Sequence, residues 1–315
     1  VTDTVHPLTL DRTDVEAARA RIHDIVRRTP TLELHGAELG VTGRVVLKLE
    51  LLQHTGSFKA RGALNSVLQA DASSGGVAAV SGGNHAAAVA WAAERAGIDA
   101  DVFVPATATP EKLERIGGYG GRAHVVDGGV PDAFAAGLAW TAEHGVPLIH
   151  PFEQEGTISG QGTLGLELEE QVPDAHTVAV ACGGGGLYSG VRTALGSHVR
   201  VVPVEPERCA DLHAALAAGH PVPVEVGGVG ADSLGPSEIG ATAFDLARAD
   251  VVDVPLVSDD DILAARRWLW QRCRVLAEPG GCVALAALMS GALTVEPGST
   301  VVTVVSGGNN ATLPR

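Results

Sequence analysis

Thr177-Val178-Ala179-Val180-Ala181-Cys182-Gly183-Gly184-Gly185-Gly186-Leu187 is the stretch that decides the fold. Six uncharged residues from Thr177 read as a strand covered on both faces, because a strand with one wet face would alternate apolar and polar positions. Four glycines then turn the chain, and Leu187 to Leu195 has the composition of a helix. Strand, turn and helix form the unit from which parallel sheets with crossover helices are built. The glycine run itself has more than one reading. Bare amides at a helix N-terminus suit a phosphate, whereas a close strand-helix crossing would also exclude every Cβ. Gly184, Gly186 and Gly190, with Glu205 ending the next strand, resemble a dinucleotide-binding unit as well, although the strict GxGxxG spacing is absent.

Working outward, the same apolar runs recur at Val45 to Glu50, Val77 to Ser81, Asp101 to Pro105, Arg122 to Val126, Val199 to Glu205, Val251 to Val254 and Thr300 to Ser306, with Ala-rich helical segments between most of them. The class is α/β with mostly parallel strands. Val15, Ala18, Ile22, Ile25 and Val26 predict one amphipathic helix over residues 14 to 27, ended by Arg28-Thr29-Pro30-Thr31. The compact strand-helix series from 77 to 150 predicts a small domain, residues 67–151, inserted into a larger one made of residues 1–66 and 152–315. Pro221 to Gly240 is the longest irregular stretch and reads as an ordered loop.

Composition narrows the function. The 315 residues are 45% hydrophobic with positive mean hydropathy, enough for a sizeable core. A net charge of -15 argues against nucleic-acid or anionic-membrane partners and means that an anionic small substrate needs locally placed donors. Cys182, Cys209, Cys273 and Cys282 are scattered, which fits a reducing, cytoplasmic compartment rather than a disulfide scaffold or zinc site. Val1-Thr2-Asp3-Thr4-Val5-His6 lacks the pattern of an export signal, and no apolar run is long enough to span a membrane. His54, His124, His144, His150 and His213 have no partner at ligand spacing, and neither a GxSxG elbow nor an HExxH helix is present.

Lys59 stands out in Thr55-Gly56-Ser57-Phe58-Lys59-Ala60-Arg61-Gly62. With Gly56 at a tight turn and Ser57 as N-cap, Lys59 falls in the first turn of a helix running through Leu68, where the macrodipole disfavours its ammonium form. A free amine is what a Schiff base to a carbonyl cofactor requires. Two further glycine loops follow strands, Ser81-Gly82-Gly83-Asn84-His85 and Ser306-Gly307-Gly308-Asn309-Asn310, and loops at strand ends of a parallel sheet converge on one site. Asn84 and His85 could donate to a ligand oxygen or merely cap the next helix.

Taken together, Ser57-Phe58-Lys59, the Ser81 to His85 loop, Gly183 to Gly186, Val204-Glu205-Pro206, Glu278-Pro279-Gly280-Gly281 and Ser306 to Asn309 resemble the fold-type II pyridoxal-phosphate family of serine/threonine dehydratases and serine racemases, in the family's order and from about Arg28 to Asn309. The resemblance implies two open, twisted α/β domains with pyridoxal 5'-phosphate in the cleft between them. It implies that Lys59 forms the Schiff base and that Phe58, Leu187 and Gly183, Gly184, Gly185 and Gly186 surround the cofactor, the glycines at its phosphate. It also places Asn84 at the ring 3'-oxygen and Ser306 at the pyridine nitrogen. Ser81, Gly82, Asn84 and His85 would hold the substrate carboxylate through amides and side chains. A homodimer is a further expectation of the family.

The chemistry implied is loss of water from L-threonine or L-serine, giving a 2-oxo acid and ammonia. A serine at the ring nitrogen favours prompt loss of a β-leaving group over a long-lived carbanion. Serine racemase, or a dehydratase of another 3-hydroxyamino acid such as 3-hydroxyaspartate, is the alternative. Racemases of the family usually carry a second serine where this chain has Gly82, and dehydratases a small residue, so Gly82 favours the ammonia-lyase. Ser233 stands where relatives often have glycine. In some relatives Mg²⁺ or Ca²⁺ is held at positions matching Glu205, the Cys209 carbonyl and Asp211; the alternative is a pair of acids that favour helix dipoles. The chain stops soon after the Thr300 to Ser306 strand, so an appended regulatory domain is not expected, which leans toward a catabolic role.

Overall fold

The computed structural model describes residues 6–70, 74–309 and 312–314. Val1-Thr2-Asp3-Thr4-Val5 and Asn310, both read in the sequence, lie outside them. In chain order the elements are α1 (Arg12–Ile22), β1 (Thr31–His35), β2 (Arg44–Lys48), α2 (Lys59–Gln69), β3 (Gly76–Val80), α3 (Asn84–Ala96), β4 (Asp99–Pro105), α4 (Pro110–Gly118), β5 (Arg122–Val126), α5 (Val130–His144) and β6 (Leu148–Ile149). There follow α6 (Glu155–Gln171), β7 (Ala175–Ala181), α7 (Gly186–Leu195), β8 (Arg200–Pro206), α8 (Asp211–Ala218), α9 (Ala241–Asp250), β9 (Leu256–Val257), α10 (Asp259–Trp268), α11 (Val283–Ser290) and β10 (Thr300–Val304).

The strands form two sheets. One has six strands in the order β1-β2-β10-β7-β8-β9, antiparallel only between β1 and β2. The other has four parallel strands in the order β5-β4-β3-β6. The runs in β2, β3, β4, β7, β8 and β10 are largely covered on both faces as expected, whereas the edge strand β5 is mostly open, with Val125 56% exposed. Val45, Leu47 and Val301 face the side covered by α11 with Leu285 and Leu288, whereas Val46, Val178 and Val302 join Leu164, Leu187 and Tyr188 on the other side. This two-sided burial is why the strands read as continuous rather than alternating.

Two expectations shift. The first helix runs from Arg12 to Ile22 instead of 14 to 27, because the Asp11 carboxylate accepts from Thr13 N and Asp14 returns the bond to Asp11 N, fixing the start earlier. Beyond Ile22 the chain turns, with Ile25 N and Val26 N both donating to Ile22 O, and Gln53 then fixes Arg27: its side chain accepts from Arg27 N at 2.9 Å and donates to Arg27 O at 2.7 Å. Val26 is buried, but Ile25 is exposed. The edge strand expected at Val251 to Val254 lies at Leu256–Val257 instead. Glu205 N donates to Pro255 O and Glu207 N to Val257 O, so β8 pairs with the later residues, while Val251 closes α9 in a left-handed conformation.

α2, which begins at Lys59, lies directly on α6. A Cβ at Gly160 would come within 2.7 Å of Gly62 Cα, so the two helices touch backbone to backbone. Under this contact sits a buried charge network. Lys48 Nζ donates to Thr29 O at 2.9 Å, to Glu167 at 2.6 Å and to Gln171 at 2.7 Å. Arg61 donates to both oxygens of Glu50 at 2.8 Å and to Glu167 at 2.7 Å.

Candidate active site

The three glycine loops do converge. The approach to Lys59 turns through Thr55 and Gly56, both in left-handed conformations, and runs alongside the loop after β10. There Leu51 N donates to Val305 O, Phe58 N to Ser306 O at 3.1 Å and Gly308 N to Gly56 O at 2.9 Å, while Ser57 forms a bridge with Gly307. Ser57 is therefore not the N-cap expected from the sequence. It is extended to meet Gly307, and its buried hydroxyl has no partner among the described residues; the helix begins after Phe58 with no side-chain cap.

Lys59 is the first residue of α2, and its amine donates a 2.7 Å hydrogen bond to Pro151 O. Part of the side chain is open, yet enough protein surrounds the amine for desolvation to lower its pKa to about 8. Burial is the cause of this shift. His85 and His150 are both held neutral, His85 at about 3 and His150 at about 4, by burial first and then by the nearby Lys59 charge.

Pro151 leads straight into the glycine loop. The next residue, Phe152, fills the space that a Cβ at Gly184 or Gly186 would occupy, and Leu234 and Ala243 do the same at Gly183 and Gly185. The absence of every Cβ is thus required by close packing, as the crossing reading expected, but the crowding comes from Phe152, Leu234 and Ala243 and not from β7 crossing α7. The amides of Gly183, Gly184, Gly185, Gly186 and Leu187 find no acceptor among the described residues although the loop is buried, which is what the anion-site reading requires. Five unanswered N–H groups at the start of α7 are a demand for an anion. The dinucleotide reading loses its ribose acid: both Glu205 oxygens are taken by Leu212 N at 2.8 Å and His213 N at 2.9 Å at the start of α8.

On the opposite wall, Asn84 opens α3. Its Nδ2 donates to Glu278 Oε1 at 2.6 Å and its Oδ1 accepts from Asn309 Nδ2 at 2.7 Å. Ser81 Oγ accepts from Gly83 N at 3.1 Å, bending the loop so that Ser81, Gly82 and Gly83 stay partly open. A Cβ at Gly82 would meet only Ala108 and Pro105, at ordinary contact distances of 3.6 and 3.7 Å. The His85 imidazole corrects its expected role. It is 3% exposed, with Nε2 bonded to Ile149 O at 2.9 Å and Nδ1 buried without a partner among the described residues, so the donor it offers a ligand is its backbone amide. Ser306 is buried, Phe58 packs between the Lys59 amine, 5.2 Å from its ring centre, and the core, and Leu187 is buried behind the loop.

Among the described residues no group of three or more His, Cys, Asp or Glu side chains converges as a metal centre. Glu205 and Asp211 are nonetheless buried next to each other, their carboxyl groups raised by burial, and Asp211 Oδ2 has no partner. Cys209 turns its thiol to Gly227 O.

Sequence reasoning quoted Glu278 and Asn309 without assigning them work, and did not single out Pro151 or Phe152. A hint lay in Glu278 itself, an acid opening a Pro-Gly-Gly turn between apolar runs.

The donor set suits an aldehyde-bearing, phosphorylated ring: an amine of lowered pKa, bare amides for the phosphate and polar side chains between. Comparison with known proteins gives the class. The sequence model of the family described as "Pyridoxal-phosphate dependent enzyme" matches residues 22–307, and the chain belongs to that family. It is 36% identical over 307 residues to an L-threonine ammonia-lyase of Geobacter sulfurreducens, covering 95% of this chain and 76% of that one. It is 35% identical to a serine racemase of Oryza sativa subsp. indica, covering 96% and 92%. Among solved structures, the maize serine racemase superposes with a TM-score of 0.91 at 35% identity, covering 96% of this chain and 94% of that one. The protein is a fold-type II pyridoxal-phosphate enzyme.

Proposed function

We propose that the protein is a hydroxyamino-acid ammonia-lyase that converts L-threonine or L-serine into the 2-oxo acid and ammonia. The observation that carries this reading is one dipeptide, Pro151-Phe152, with the Lys59 amine bonded to its first residue and the Gly183 to Gly186 loop packed on its second. Relatives named as L-threonine ammonia-lyase support it.

Pyridoxal phosphate, when bound, supplies the electron sink that lets the Cα–H and Cβ–O bonds of the substrate break. The residues do the rest. Amides of Gly183 to Leu187 would hold the phosphate, Asn84 would donate to the ring oxygen, and Ser306 would face the ring nitrogen with a hydroxyl that does not keep it protonated. Ser81, Gly82 and the Asn84 and His85 amides orient the substrate carboxylate. Lys59, unprotonated near neutrality more often than an ordinary lysine, takes the Cα proton. The proton that Lys59 has taken is then available to the departing hydroxyl, which leaves as water and frees the amine again, and the released enamine hydrolyses to the 2-oxo acid and ammonia.

Racemisation is the second reading, supported by the rice relative. It needs an acid on the face opposite Lys59, and at that place Gly82 offers no hydroxyl. We further propose that Glu205, the Cys209 carbonyl and Asp211 hold Mg²⁺ or Ca²⁺, for which two adjacent buried carboxylates with an unpartnered oxygen are suited. We assign residues 67–151 to an inserted smaller domain and residues 1–66 with 152–315 to the larger one, since β3 to β6 all fall between Gly76 and Ile149. The proposal extends to a cytoplasmic homodimer; no helix among the described residues is long and apolar enough to cross a membrane.

The test is a visible spectrum with added cofactor, followed by assays of 2-oxo acid, ammonia and enantiomer from L-threonine and L-serine. A colourless protein, or a coloured one that makes no 2-oxo acid, would refute the lyase reading.

A further inference from the structure

Asn84 is held at both ends of its carboxamide. Glu278 Oε1 takes an Nδ2 hydrogen at 2.6 Å, and Asn309 Nδ2 donates to Oδ1 at 2.7 Å. Asn309 is itself anchored, its backbone N–H donating to Glu278 Oε2 at 3.0 Å and its Nδ2 to Thr55 O at 2.8 Å. Glu278 is 7% exposed, and its backbone N–H donates to Gly307 O at 3.1 Å. Its carboxylate occupies space that a Cβ at Gly307 would take, so glycine there is a condition of the arrangement.

The pattern of donors leaves one orientation. Both Glu278 oxygens receive N–H groups, which is the role of an ionised carboxylate. Turning the Asn84 amide over would set its oxygen against Glu278 Oε1 and its NH₂ against the Asn309 NH₂, two repulsive contacts in a buried place. With one Nδ2 hydrogen spent on Glu278, a single N–H of Asn84 is left to donate elsewhere. We infer that Glu278 and Asn309 are positioning residues that lock the Asn84 carboxamide so that this remaining N–H is delivered to the ring oxygen of the cofactor. The same lock ties the Thr55 turn, the start of α3 and the loop after β10 into one rigid wall. The inference rests on the proposed function, since it takes Asn84 to face the cofactor.

A double-mutant cycle with two optical readouts tests it: the position of the visible band of the bound cofactor and its dissociation constant, measured by titration into apoenzyme. Glu278→Gln cannot accept from both Asn84 and Asn309 N, because one of its ends is a donor, and Glu278→Asp is too short to reach both. Each is expected to shift the band and weaken cofactor binding about tenfold. In the Asn84→Ala background the same changes are expected to have no further effect, within about twofold. Should a Glu278 variant fail to fold, as judged by melting of the apoenzyme, Asn309→Ala is run through the same cycle with the same expectation.

Effects that are equal with and without Asn84, or a band and affinity unchanged by Glu278→Gln, overturn the inference and leave Glu278 a packing residue. A wild-type chain that takes up no cofactor removes the proposed function and this inference with it. A wild type that colours normally while the cycle is additive overturns the inference alone.

Discussion

Arg61 and Glu50 form a two-pronged ion pair, Nε to Oε2 and Nη2 to Oε1, both at 2.8 Å, with neither side chain exposed and with Lys59 only two residues away. Burial alone would raise the Glu50 carboxyl, but Arg61, with Lys48 and Thr29 behind it, outweighs that and holds it below its ordinary value. The pair joins the loop before Lys59 to the helix that carries it. Arg61→Ala strands a buried carboxylate and is expected to cost about 3–5 kcal/mol. Arg61→Lys is expected to recover little of this, because an ammonium cannot match the planar fork. Urea melts of the apoenzyme check both.

The Lys59 amine, lowered to about 8 from an ordinary 10.5, sets a pH window. Only the free amine captures an aldehyde, so the rate of cofactor uptake by apoenzyme should rise with pH and level off above about 8. With an unperturbed lysine the rate would keep rising past about pH 10. Stopped-flow absorbance measured from neutrality to above the ordinary lysine value distinguishes the two. Lys59→Ala should show no imine band at any pH.

Gly185 is in a left-handed conformation, and a Cβ there would run into Ala243. Gly185→Ala is expected to destabilise the apoenzyme by at least about 1–2 kcal/mol from backbone strain alone. Cofactor affinity should fall with it, since the amides proposed to hold the phosphate move. Calorimetry and cofactor titration read the two effects separately.

Gly82 is the opposite case. Its surroundings admit a Cβ at ordinary distances, so Gly82→Ser should leave the melting temperature within a degree or two of wild type, an exposed-site change of less than about 0.5 kcal/mol. The added hydroxyl should raise D-serine formation from L-serine. Chiral chromatography of the product mixture is the measurement, and an unchanged enantiomer ratio would show that the missing hydroxyl is not what suppresses racemisation.

If the proposed site binds a cation, added Mg²⁺ or Ca²⁺ should raise the melting temperature of the wild type, increasing with the logarithm of its concentration above the dissociation constant, and Asp211→Asn should abolish the effect. Differential scanning calorimetry with and without chelator checks this.

Much of the fold was legible because parallel strands buried on both faces leave a long, uncharged trace, and each glycine turn marks a strand end. The limits of that legibility are equally physical. Val251 to Val254 has the composition of a strand, but pairing belongs to whichever residues β8 can reach, and those were Pro255 to Val257. Ser57 has the composition of an N-cap, but the competing bridge to Gly307 won it. His85 is in the first turn of α3, next to the loop that lines the candidate site, while its ring turns to Ile149.

By itself the sequence determined the α/β class and singled out Lys59 and the three glycine loops, since each is a local pattern of residue types over a few positions. Tertiary structure alone decided what those residues experience. The lowered pKa of Lys59 comes from protein packed round it, and the free amides of Gly183 to Leu187 are a matter of which acceptors fail to arrive. The fixed face of Asn84 depends on Glu278 and Asn309, which are 194 and 225 residues away in the chain. Burial and hydrogen-bond pairing are properties of what folding brings together, and no short window of sequence contains them.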